Sequence, residues 1–311
     1  MGKATREAYG EALKELGSTN ANVVVLDADL SKSTKTNVFQ EAFPDRHFNV
    51  GIAEQNMMSI AAGLAATGKI PFASTFAVFA TGRAFEQVRN SICYPCLNVK
   101  IAATHAGITV GEDGATHQAN EDVALMRSLP NMTVVVPADA AETKAVIRWA
   151  AAYEGPVYIR LGRSGVDDIF DDTYTFVPGK GTELRSGTDA TIIAMGVMVA
   201  AALKAADQLA LAGLSIGVIN MSSIKPIDKG LIIAAAKKSG ALVTCEEHTI
   251  MGGLGSAVAE VVVENEPVPM ERVGLNDTFG ESGTPKELLE KYGLTAEHVV
   301  EAVKRVIKRK K

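Results

Sequence analysis

Short runs of β-branched and aliphatic residues recur along this chain, each followed by a stretch with helical spacing, and no other feature limits its possible folds as sharply. Tyr9, Ala12, Leu13 and Leu16 recur at helical intervals ahead of VVVLD at 23–27. Further runs fall at 72–76, 99–103, 132–136 and 157–161, with a helix expected between each pair. Continuous apolar runs, unlike alternating ones, belong to strands covered on both faces. The pattern therefore predicts a mostly parallel sheet with helices packed against it.

The rhythm breaks between 165 and 189, where four acidic residues (Asp167, Asp168, Asp171, Asp172), Pro178 and several glycines predict a connection between domains. A second set then begins: ATIIAMG, an alanine-rich helix to Ala212, SIGVINM, a helix near 228–238, ALVTCEE, a helix near 254–264, and MERVGL. With 311 residues, 47% of them hydrophobic, the chain can bury two cores. The expectation is two doubly wound α/β domains, residues 1–175 and 176–311.

Charge and composition exclude several classes. A net charge of −5 and a pI near 5.7 give no attraction for polyanions, and 5% aromatic residues are too few for a base-stacking platform. Nucleic acid is not an expected partner. The basic end KRVIKRKK follows Val299, Val300, Val303, Val306 and Ile307 at helical spacing, which reads as a solvated helix end. No apolar leader or run of about 20 apolar residues points to export or a membrane, so a cytoplasmic protein is expected. Cys93 and Cys96 are spaced like a redox or zinc pair, but no second pair accompanies them. Cys93, Cys96 and Cys245 are read as core or loop residues, and no metal ligand set is assigned.

Most of the residues with reactive chemistry fall in the loops after the apolar runs, where ligands bind in open parallel sheets. Glu54 lies in NVGIAEQNMMSIAAGLAATG, among small and apolar neighbours that make a charge costly without a partner. A first-turn acid complementing a helix dipole would account for Glu54 alone. It leaves unexplained the aromatic cluster STFAVFATGRAFEQ and, beyond it, THAGITVGEDGATHQ with His105, Asp113 and His117. Arg160 and Arg163 follow in YIRLGR, and Asp29 and Ser33 come after the first run. No phosphate-binding signature is complete, since neither GITVGEDG nor MGGLGS satisfies GxGxxG. Gly252, Gly253 and Gly255 suit a tight strand-to-helix turn.

Together GIAEQNM, the phenylalanine-rich stretch, GEDGATHQ and EEHTIMGGLGSAVAE resemble the C-terminal half of transketolases, with a second likeness to 1-deoxyxylulose-5-phosphate synthases. The resemblance runs from about Thr5 to about Ile307. It implies a pyrimidine-binding domain over 1–175 and a transketolase C-terminal domain over 176–311. It also implies thiamine diphosphate as cofactor, with Glu54 handling the proton on the aminopyrimidine and Phe76, Phe79 and Asp29 lining that site, Phe85 supporting them. By the same resemblance His105 and His117 act in catalysis and contact substrate, Asp113 reads a substrate hydroxyl, and Ser33, Arg160 and Arg163 hold the sugar phosphate. His248 is assigned to folding and assembly, and His47 and His298 to structure. Gly82 stands where transketolases often carry an aromatic residue, and RAFEQ is nearer the synthases.

No segment resembles the GDG-to-Asn stretch that binds magnesium and the diphosphate. Magnesium is therefore expected through a separate N-terminal subunit, in a dimer of heterodimers. The function implied is the C-terminal subunit of a split transketolase of the pentose phosphate pathway, moving a two-carbon ketol unit between sugar phosphates. Alternatives are a sugar-specific relative, a 2-oxo-acid dehydrogenase β subunit and a non-catalytic assembly subunit.

Overall fold

A computed structural model describes residues 2–310. Its first sheet has seven strands in the order β10-β5-β6-β4-β3-β1-β2. These are β1 (Val23–Asp27), β2 (His47–Asn49), β3 (Ile70–Ser74), β4 (Lys100–Ala103), β5 (Thr133–Val135), β6 (Val157–Arg160) and β10 (Ser223–Lys225). All pairings are parallel except β10 with β5. The second sheet runs β12-β11-β8-β9-β7, from β7 (Thr182–Arg185), β8 (Ala190–Ala194), β9 (Ile216–Asn220), β11 (Leu242–Thr249) and β12 (Met270–Leu275). Only β7 pairs antiparallel there. Two mostly parallel α/β sheets are thus present, as the continuous apolar runs require: every residue of β1, β8 and β9 is buried.

One face of the first sheet packs on the helices Thr5–Thr19 and Ala140–Ala152 through Tyr9, Leu13, Val146 and Ile147. The other face belongs to a core that also takes in Ile193, Ile219, Leu254 and Val258 from the second sheet and its helices. Each fully buried aliphatic side chain is worth about 1.5–3 kcal/mol, so this shared core binds the two halves firmly. The C-terminal helix Ala296–Ile307 covers the far side of the second sheet through Val299, Val303 and Val306.

Three strands lie outside the apolar runs. β2 and β7 are edge strands with exposed positions, and β7 occupies the stretch expected to be a connection. β10 leaves the second half of the chain to pair with β5. No helix among the described residues is long and apolar enough to cross a membrane.

Candidate active site

Because β1, β3, β4 and β6 run parallel, their carboxyl ends open on the same side, and the loops there bring together residues far apart in sequence. Glu54 opens the helix Glu54–Ala66 and is 1% exposed. Its first-turn position places the carboxylate at the positive end of the helix dipole. Its Oε2 accepts a hydrogen bond of 2.8 Å from Arg83 Nη1.

Phe76 extends β3 through an isolated bridge to Thr104, and Phe79 begins a π-helical segment, Phe79–Arg83. Their rings lie nearly parallel with centroids 5.9 Å apart. Phe76 also stacks on His105 at 3.8 Å, and the His117 ring meets Phe79 edge-on at 5.4 Å. Two phenylalanines and two imidazoles thus form one aromatic cluster beside the carboxylate.

His105 sits in the left-handed region, with φ of 57°. That costs a non-glycine residue on the order of 1 kcal/mol and fixes where the ring points. Its Nδ1 is 2.9 Å from Thr104 Oγ1 and its Nε2 is 3.3 Å from Arg6 Nη1. Guanidinium can only donate, so Nε2 is the acceptor and the ring proton resides on Nδ1. Burial first, then the charges of Arg6 and Arg163 and the neighbouring His117, push its pKa down to about 3. His105 is therefore a neutral imidazole at physiological pH. His117 is half-buried, and its Nδ1 is 2.9 Å from Thr116 Oγ1.

The sequence reading missed Arg6. It stands in the first turn of the helix Thr5–Thr19 and reaches both His105 and the carbonyl of Ser33, which accepts at 2.9 Å. Nothing local marks it, because a charged residue early in an amphipathic helix is ordinary; only the crossing of that helix over the loops after β1 and β4 brings it here. Arg163 donates to the Val110 carbonyl and to Glu112 Oε2 at 3.1 Å, with Asp113 Oδ2 at 3.8 Å. Asp113 is exposed. Asp29, exposed and at φ of 64°, exchanges hydrogen bonds with Asn49 at the end of β2. The turn after β1 is instead capped by buried Asp27, which accepts from Leu30 N–H, Thr34 and Thr36.

Arg160 corrects the expectation of two phosphate arginines. It is 6% exposed, and its Nε donates to Asp122 Oδ2 at 2.8 Å. Its Nη2 donates to the carbonyls of Ala119 and Glu247. Burial opposes the guanidinium's charge, but Asp122 and Glu247 outweigh it and raise its pKa. A guanidinium spent on a buried carboxylate and two carbonyls tying the halves together is not available to a substrate.

His248 belongs to the same seam, its rings nitrogens 3.5 Å from Glu246 and 3.9 Å from Asp122. Burial lowers its pKa to about 4 and raises that of Glu246 to about 7. Glu246 accepts the N–H groups of Leu254 and Gly255, and a Cβ on Gly253 would fall 2.0 Å from its Oε2. The glycines therefore serve the strand-to-helix turn. Phe85 packs on the shared core. His47 is buried, and His298 bonds to Thr295 on the far helix, away from the cluster. Cys93 and Cys245 are buried, Cys96 is exposed, and all three are free. Among the described residues no three acids, histidines or cysteines are placed to hold a metal.

Fold and site define a two-domain α/β protein with an acid–aromatic–imidazole cluster at the carboxyl end of its first sheet. Residues 1–167 match the family model for the transketolase pyrimidine binding domain, and residues 179–299 that for the transketolase C-terminal domain. The chain belongs to the transketolase family.

It is 52% identical over 310 residues to a transketolase C-terminal section from Methanocaldococcus jannaschii, covering 99% of this chain and 97% of the relative. A 6-deoxy-6-sulfo-D-fructose transketolase subunit from Clostridium sp. is 45% identical over 305 residues, covering 98% of this chain and 95% of that one. Among solved structures, a split gene transketolase described as an inactive beta4 tetramer superposes with a TM-score of 0.94 at 62% identity, covering 100% of both chains.

Proposed function

We propose that this chain is the C-terminal subunit of a split, thiamine-diphosphate-dependent transketolase, transferring a two-carbon ketol unit from a ketose phosphate to an aldose phosphate. The observation that carries this reading is the Glu54 carboxylate, buried and set beside the Phe76–Phe79–His105–His117 cluster, in a chain that spans relatives described as transketolase sections or subunits. The residues fit the aminopyrimidine end of the cofactor: an apolar aromatic slot takes a flat heteroaromatic ring, and a buried carboxylate takes its ring N–H. The bound cofactor supplies the electron sink for breaking and making the carbon–carbon bond. Glu54 would share the proton at ring N1′, and Phe76 and Phe79 would supply an apolar wall that keeps water from it.

His105 is neutral and fixed, with its Nδ1–H on Thr104, so toward substrate it acts as an acceptor through Nε2, taking a hydroxyl proton where Arg6 now donates. His117 and Asp113 contact substrate hydroxyls. Arg6, not Arg160, joins Arg163 and Ser33 at the end of the site that holds the anionic group, and Asp29 lies at the mouth. Magnesium and the diphosphate would be held by a separate N-terminal subunit, whose oxygen ligands would suit a hard cation. The active form is a dimer of such pairs, in the cytoplasm.

The test is reconstitution. Mixed with thiamine diphosphate and magnesium, the chain alone should bind cofactor weakly in calorimetry and show no turnover of xylulose 5-phosphate with ribose 5-phosphate. Adding the N-terminal subunit should restore tight binding and turnover together. Full turnover by the chain alone would overturn the split reading. A sugar-specific variant is the second reading, favoured by the likeness to the sulfo-fructose enzyme's subunit. It predicts that a sulfonated ketose outcompetes the phosphate as donor.

A further inference from the structure

The group that governs Glu54 lies outside the acid–aromatic–imidazole set. Taking a carboxylate to 1% exposure is unfavourable unless a cation or several donors meet it. The side-chain partner in the structure is Arg83, whose Nη1 donates to Oε2 at 2.8 Å. The pair is lopsided, because the Arg83 side chain is 46% exposed. The cation thus reaches in from the surface to a buried anion.

Its approach is steered by the backbone. Arg83 closes the π-helical segment that Phe79 opens, and its guanidinium carbon lies 4.3 Å from the centre of the Phe79 ring. A π-helical segment is less favourable than an α-helical one and recurs where a functional side chain must be re-aimed. Here the ring that flanks the pocket and the cation that grips its carboxylate are presented by the same wide turn. Next to Arg83, Gly82 faces open space, with nothing within 4 Å of where a Cβ would stand, so the turn is not tightly boxed in at that point.

We propose that Arg83 is a positioning residue for Glu54: stacked on Phe79, it holds Oε2 and so leaves Oε1 aimed at the ring nitrogen of the aminopyrimidine. The inference rests on the proposed thiamine-diphosphate site. It attributes direction, not charge alone, to the guanidinium, whose planar fork can stack on a ring and donate in a fixed direction where an ammonium cannot.

The variants that separate these are Arg83→Lys, which keeps the charge, and Arg83→Met, which removes it, each measured in the assembly of both subunits with thiamine diphosphate and magnesium. In Arg83→Lys the melting temperature should stay within a degree or two of wild type, while calorimetric affinity for the cofactor falls about tenfold, the weight of one well-aimed charge-assisted hydrogen bond. Arg83→Met should lose at least as much affinity and melt lower. Unchanged cofactor affinity in Arg83→Lys would reduce Arg83 to a neutralising charge and overturn the proposal. Tighter binding in either variant would make it a competitor for Glu54 and overturn it equally. Wild-type assembly that binds no cofactor would overturn the thiamine-diphosphate reading itself, and this inference with it.

Discussion

At the scale of single residues, His105 is set more by its surroundings than by its own chemistry. An exposed imidazole titrates near 6.5, but burial and two nearby guanidinium groups bring this one down to about 3. Ring nitrogen shifts in NMR spectra of the labelled chain should show the Nδ1–H neutral tautomer from pH 5 to 8, and an imidazolium pattern at pH 6 would refute the assignment. A depressed histidine pKa also carries a sign for stability. Between about 6.5 and 3 the unfolded chain binds a proton at this position that the folded chain refuses, so its contribution is full above 6.5 and is lost as pH falls. The same scale shows why Arg6 escaped notice and Glu54 did not. Glu54 stands among small apolar neighbours, where a carboxylate is conspicuous, whereas Arg6 stands in the first turn of an amphipathic helix, where a charged residue is ordinary.

At the scale of elements, the turn from β11 into the helix Leu254–Asn265 depends on what is missing from Gly253. Its φ of −83° is not in the left-handed region that favours glycine. Space is the reason: an added methyl would meet Glu246 Oε2 at 2.0 Å and His248 Nδ1 at 2.6 Å. Moving the Glu246 carboxylate also strips the helix start of its two N–H partners. Gly253→Ala should therefore lower unfolding stability by about 1–3 kcal/mol in urea titrations, and a variant as stable as wild type would show that the turn can shift to make room. The strands β2, β7 and β10 belong to the same lesson. HFN, TELR and SIK are too short or too polar to stand out as apolar runs, and each forms because a neighbouring strand offers an unpaired edge.

At the scale of the whole molecule, the halves are joined by a core and by a buried ionic seam, with Arg160 at its centre. Removing one partner of such a pair leaves the other charged and unsolvated, which costs about 3–5 kcal/mol. Arg160→Ala should thus lose stability of that order in chemical denaturation, while Arg160→Met with Asp122→Leu should recover much of it. If Arg160→Ala kept full stability and instead raised the KM for a sugar phosphate, the structural role assigned to Arg160 would be wrong. The sequence by itself determined the class of fold, because continuous apolar runs alternating with helical spacing leave little but parallel sheets wrapped by helices. It also made the aromatic and imidazole cluster legible, because Phe76, Phe79 and His105 lie at or just after those runs, while Glu54 stood out by its small apolar neighbours. Tertiary structure alone decided which cations face that cluster. A guanidinium carries no mark of its partner along the chain, and whether it meets a buried carboxylate, as Arg160 and Arg83 do, or an imidazole, as Arg6 does, depends on how helices and strands remote in sequence cross.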